Sequence, residues 1–127
     1  MLRLPRRVFC VAATLALASL SVNARQTPGG DPRVEAIRYW SFGDVTRIAI
    51  ETQGDYKITS DSLAKPPRLF FDLRGLRPPA SKRKGMQIIQ VNDHRVKQIR
   101  VAETEPGVTR IVLDLDAPSD FTSSQLV

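Results

Sequence analysis

Apolar side chains in this sequence recur at every second position over several short runs, and that period selects strands over helices. In Val45-Thr46-Arg47-Ile48-Ala49-Ile50-Glu51, one face holds Thr46, Ile48 and Ile50, and the other holds Val45, Arg47, Ala49 and Glu51. Arg68-Leu69-Phe70-Phe71-Asp72-Leu73-Arg74 alternates likewise, with Leu69, Phe71 and Leu73 on one face. A pleated strand turns successive side chains to opposite faces, so such a run buries one face and leaves the other to solvent. Pro66-Pro67 opens the second run, where Pro is tolerated at a strand start, and Gly75 closes it. After residue 24 no stretch carries a convincing helical period, so the expected class is all-β.

The alternating runs come in two sets. Val34-Glu35-Ala36-Ile37-Arg38 is similar to Val96-Lys97-Gln98-Ile99-Arg100 at an offset of 62, and Val45-Thr46-Arg47-Ile48 matches Val108-Thr109-Arg110-Ile111 at an offset of 63. Leu63 and Leu126 keep the second spacing, and Asp44 and Gly107 put a turn-type residue before the equivalent strands. The first set predicts strands at 34–40, 45–52, 55–60 and 68–74. The second predicts 96–103, 108–115 and 119–125, with a further strand at 86–91 between the sets. Many short strands with turn signals imply a sandwich or a barrel. Two similar halves favour a β-sandwich of two similar sheets packed face to face, built from an internal repeat. The counterpart of Arg68 to Leu73 falls at 131–136, past Val127. The second copy is therefore expected to lack its last strand, either because the sequence is the front of a longer protein or because that half is degenerate. A missing strand leaves an open edge of unpaired backbone groups.

Residues 1–24 differ from the rest. Arg3, Arg6 and Arg7 form a basic start, Val8 to Leu20 is apolar apart from Thr14 and Ser19, and Val22-Asn23-Ala24 supplies a cleavage-type ending. That is the layout of a secretory signal peptide, and the apolar run is short of the roughly 20 residues of a transmembrane helix. An uncleaved anchor is the alternative. Cleavage after Ala24 removes Cys10, the one cysteine, and takes the formal charge from +6 to +3. A disulfide-free exported chain fits the periplasm. Residues 25–33, with Pro28-Gly29-Gly30-Asp31-Pro32, read as a linker, and 34–127 as the folded domain.

Counting residues narrows the chemistry. With one His, His94, and one Cys, the chain lacks the three or four ligands of a zinc site, so neither metal nor cofactor is expected. His94 lies in the polar turn Val91-Asn92-Asp93-His94-Arg95, where a solvated loop histidine is the simplest reading and a sugar contact the alternative. There is no G-x-S-x-G elbow and no phosphate loop. Nucleic acid is a poor partner for an exported chain whose basic cluster is short and free of aromatics.

The run Pro66-Pro67-Arg68-Leu69-Phe70-Phe71-Asp72-Leu73-Arg74-Gly75 resembles the "P-x-R-hydrophobic-x-x-D-hydrophobic-x-G" segment of the AMIN domain. Val45-Thr46-Arg47-Ile48 and Val108-Thr109-Arg110-Ile111-Val112-Leu113-Asp114-Leu115 resemble its two "T-R-hydrophobic" strands. AMIN domains precede the catalytic part of bacterial N-acetylmuramoyl-L-alanine amidases and occur in type IV pilus secretins. The resemblance, over about residues 34–127, implies a periplasmic β-sandwich that binds peptidoglycan and localises its host protein at the envelope, including the division site. It also implies that the zinc-dependent hydrolase of an amidase would lie beyond residue 127. A protein-interaction module of a secretin or division complex is the other reading, with strand addition at an open sheet edge as its physical route.

Candidate glycan-binding residues are Arg38, Trp40, Arg47, Arg68, Arg100 and Arg110. If Ile37 points inward, Arg38 and Trp40 point outward, and an exposed ring is a platform for the C–H face of a pyranose. The competing reading has Trp40 capping one end of the core. The residue equivalent to Trp40 is Ala102, so a Trp platform would exist on one side only. Arg47 with Glu51, Arg68 with Asp72, and Arg110 with Asp114 recur on strand faces. They read first as cross-strand ion pairs and second as a planar donor fork for carboxylates or sugar hydroxyls. Arg77, Lys82, Arg83 and Lys84 form a basic loop that would meet anionic wall polymer or simply be solvated.

Overall fold

Leu69, Phe71 and Leu73, the predicted inward face of one alternating run, are all buried, and so are Thr46, Ile48 and Ile50 of the other. The computed structural model describes residues 7–12, 31–79 and 85–126. These form nine strands: β1 (Arg7–Ala12), β2 (Arg33–Phe42), β3 (Val45–Gln53), β4 (Lys57–Ala64), β5 (Pro67–Arg74), β6 (Gln87–Gln90), β7 (Val96–Glu105), β8 (Val108–Leu115) and β9 (Thr122–Leu126). Among the described residues there is no helix, hence none long and apolar enough to cross a membrane.

Two antiparallel sheets result, one of four strands in the order β2-β3-β1-β9 and one of five in the order β4-β5-β8-β7-β6. The hairpin β2-β3 lies in the first sheet, and the chain then crosses to pair β4 with β5 in the second. The hairpin β7-β8 lies in the second sheet, and the chain crosses back to lay down β9 in the first. One core joins them: Val34, Ile48 and Ile50 meet Leu69, Phe71, Leu73, Ile99, Val101, Ile111 and Leu113. Phe121, on the β8-β9 connection, packs edge-on against Phe71 with ring centroids 5.5 Å apart. The class is all-β, as the alternation predicts.

β2, β3, β5 and β7 run one or two residues past their expected limits, and three other strands also depart from the sequence expectation. The predicted 55–60 strand is β4, Lys57–Ala64. It lies at a sheet edge, and backbone pairing as far as Ala64 opposite Pro67 carries it through polar residues that show no apolar period. The predicted 119–125 strand starts only at Thr122, because residues 116–121, with Pro118 among them, form the crossing between sheets. The 86–91 strand shortens to Gln87–Gln90. Residues 7–12, inside the stretch read as an export signal, form β1 between β3 and β9. Residues 1–6, 13–24 and most of the expected linker lie outside the described residues.

Candidate functional site

The six candidate residues divide between the two sheets. Arg38, Trp40 and Arg47 belong to β2 and β3, where Trp40 lies opposite Arg47 and Arg38 opposite Ala49. Arg68, Arg100 and Arg110 belong to β5, β7 and β8, and all three line one shallow groove of about 340 Å³ with Leu63, Phe70 and Met86. Period two explains the grouping, since inward neighbours such as Leu69, Ile99 and Ile111 are buried and the arginines beside them turn to the outer face.

On the five-stranded sheet the arginines are held by aspartates of neighbouring strands. Arg110 donates from Nε to Asp72 Oδ1 at 2.8 Å and from Nη2 to Oδ2 at 3.0 Å. Arg100 donates to Asp114 at 2.7 and 2.8 Å, and Gln98 Nε2 donates to the same carboxylate at 2.7 Å. Arg110 also lies over the Phe70 ring, 5.6 Å from its centroid. Its hydrogen bonds hold the Asp72 carboxyl below the ordinary range against a smaller upward push from burial, and Asp72 in turn raises Arg110. Burial pushes Asp114 up, but hydrogen bonds from Arg100 and Gln98 and the charges of Arg100 and Arg68 outweigh it. Arg68 Nε is shielded from solvent and has no hydrogen-bond partner among the described residues. The expected charged ladder is therefore present as cross-strand pairs.

On the four-stranded sheet the same layout is looser. Arg38 lies 3.6 Å from Glu51, and Arg47 lies over Phe42 at 5.3 Å from the ring centroid. Trp40 is 38% exposed, which favours the outward platform over a core cap. Ala102, opposite Arg110, takes the place that Trp40 has opposite Arg47. Beside Arg110 the groove is thus bordered by a methyl group, where the other sheet carries an indole at the matching position.

Arg77 is exposed and apart from both groups; its backbone pairs with Pro32 and Val34. Lys82, Arg83 and Lys84 lie outside the described residues. His94 is exposed in the loop before β7. The sequence reading missed its neighbour Asp93. One Asp93 oxygen accepts hydrogen bonds from Ser41 and Thr46, and the other from the N–H groups of Arg95 and Val96. Burial pushes this carboxyl up, but those four donors win and hold it at about 2. The signal was available, because Asp followed by a backbone N–H two residues on is an Asx-turn pattern. A larger hollow of about 640 Å³ adjoins this loop, but its lining carries Asp93, Asp114 and Asp116 against one cation, Lys97, which suits an anionic ligand poorly.

Comparison with known proteins fits this architecture. The chain is 26% identical over 121 residues to N-acetylmuramoyl-L-alanine amidase AmiC of Neisseria meningitidis serogroup B, covering 94% of this chain and 29% of that protein. It is 30% identical over 84 residues to the AmiC amidase of Escherichia coli O6:H1, covering 65% and 20%. The chain thus spans less than a third of the length of either relative. No solved structure matches it. AMIN is a non-catalytic domain carried by such amidases. The AMIN domain model matches residues 36–127, from within β2 to the last residue, and the chain belongs to the AMIN domain family.

Proposed function

We infer that this chain is a non-catalytic envelope-targeting module that binds peptidoglycan, as part of an N-acetylmuramoyl-L-alanine amidase or a protein built like one. The observation that carries this reading is the meeting of Arg68, Arg100 and Arg110 with Phe70 and Met86 on one groove. Peptidoglycan offers carboxylates on its peptide stems and apolar C–H faces on its sugars. Guanidinium forks suit the first, and the Phe70 ring and Met86 suit the second. Arg100 and Arg110 each use Nε and one terminal nitrogen on an aspartate, and each keeps Nη1 for a ligand.

The signal-peptide pattern of residues 1–24 supports a periplasmic location. Amidase relatives support a host whose hydrolytic activity resides outside residues 34–127. Titration of the labelled protein with soluble muropeptides tests the reading by NMR. Amide shifts gathered on β5, β7 and β8, with the muropeptide left intact, are expected. No shifts, or cleavage of the muropeptide, would count against it.

A further inference from the structure

Arg68 stands apart from the other two groove arginines. Arg110 is held by Asp72, and Arg100 by Asp114. The acid opposite Arg68 on β8 is the same Asp114, and it is already taken: Oδ1 accepts from Arg100, and Oδ2 from Arg100 and Gln98. Arg68 acts on that carboxyl through its charge. Among the described residues its guanidinium makes no hydrogen bond, and its Nε is shielded from solvent. A half-buried cation left in this state has the most to gain from an incoming carboxylate.

Arg68 also stands between two hollows. On one side is the groove with Phe70, Arg100 and Arg110. On the other is a hollow of about 320 Å³ between the end of β4 and the crossing of residues 116–121. Leu63 and Arg68 line both, so the two are contiguous. Among the described residues, the one cation of this second hollow is Arg68 and the one acid is Asp120. Asp120 is exposed. The walls between them carry the hydroxyls of Ser62 and Ser119 and the apolar side chain of Leu115.

One charge of each sign, on walls otherwise apolar or hydroxyl-bearing, suits a ligand end that is both anionic and cationic. An amino-acid end with a carboxylate and an ammonium on one carbon has that form. A peptide stem carries such an end where a diamino acid leaves its second amine and carboxylate free. We propose that this hollow is a subsite for that stem end, with Arg68 taking the carboxylate and Asp120 the ammonium. The inference rests on the reading that the groove holds peptidoglycan: the sugars lie against Phe70, and the stem turns past Leu63 into the hollow.

Titration of the labelled full chain with a sugar-free stem tripeptide, alanyl-γ-glutamyl-diaminopimelate, tests this by NMR. Saturable amide shifts are expected at Leu63, Arg68, Ser119 and Asp120. Replacing the diaminopimelate by lysine, which lacks the second carboxylate, should weaken binding about tenfold, as should acetylating the free amine. Arg68→Gln should erase the preference for diaminopimelate over lysine. Asp120→Asn, at an exposed position, should erase the preference for the free amine and keep the other. Overturning results are a tripeptide that shifts nothing in the hollow, equal binding of the three peptides, or free diaminopimelate binding as tightly as the tripeptide, which would make this a free amino-acid site. Glycan chains stripped of stems separate the two readings. Stripped chains that shift Phe70, Arg100 and Arg110 beside a silent tripeptide overturn the subsite and leave the groove reading standing. Silence of the groove toward stripped chains and whole muropeptides alike overturns the groove reading, and the subsite with it.

Discussion

Arg110 on β8 grips Asp72 on β5 with two parallel hydrogen bonds, across two strands that are adjacent in the sheet but 38 residues apart in sequence. The pair sits on the outer face, with the Arg110 side chain 44% exposed, so its two members are held by each other and by the Phe70 ring. An exposed pair of good geometry couples by about 0.5–1 kcal/mol. A double-mutant cycle of Arg110→Ala and Asp72→Ala, read by denaturant melts, should return that value. The single variants should unfold only slightly earlier than the parent.

Asp93, in the loop before β7 of the five-stranded sheet, ties that sheet to Ser41 on β2 and Thr46 on β3 of the four-stranded one. Replacing it by Ala strands the hydroxyls of Ser41 and Thr46 and the N–H groups of Arg95 and Val96, and Thr46 is 1% exposed. Leaving buried donors unpaired costs about 1–3 kcal/mol, so Asp93→Ala should lose at least about 2 kcal/mol in a urea melt.

The acid limb of stability follows from the same carboxylate. Its folded value of about 2 lies below the ordinary 3.8, and Asp72 and Asp114 are lowered as well. Between those values the unfolded chain binds more protons than the folded one. The contribution is therefore full above the ordinary value and is lost as pH falls toward about 2. Melts taken across that window should show a steep loss. Asp93→Asn should start less stable at neutral pH and lose less on acidification.

Gly75 turns the chain after β5 with φ +104, and a Cβ there would sit 2.9 Å from the Asp55 carbonyl oxygen. Gly107 has φ +82 with nothing within 4 Å. Both Ala variants meet the backbone penalty of a left-handed conformation, about 1 kcal/mol or more, but only Gly75→Ala also collides with backbone. Gly75→Ala should lower Tm more than Gly107→Ala.

Burial of the core is the part of the fold most legible in the sequence, because one period orients every residue of a strand together. Ile48, Ile50, Leu69, Phe71 and Leu73 all fall where alternation puts them. The ends of β4 and β9 are less legible, since edge pairing and sheet crossing depend on partners far along the chain. Half of the site is legible as well: outward arginines with acids at i+4 promise cross-strand pairs. Which strands meet is not written in that spacing, so the gathering of Arg68, Arg100 and Arg110, and their separation from Arg38, Trp40 and Arg47, emerges only from topology. Asp93 escapes because two of its partners, Ser41 and Thr46, are remote in sequence.

Co-sedimentation with purified peptidoglycan sacculi at low salt tests the binding function most directly. The parent chain should pellet with sacculi. The Arg100→Ala, Arg110→Ala double variant, with far-UV circular dichroism and Tm close to the parent, should bind about tenfold more weakly, and Arg38→Ala, Trp40→Ala less affected. A parent chain that stays in the supernatant, or a folded double variant that pellets as the parent does, would contradict it.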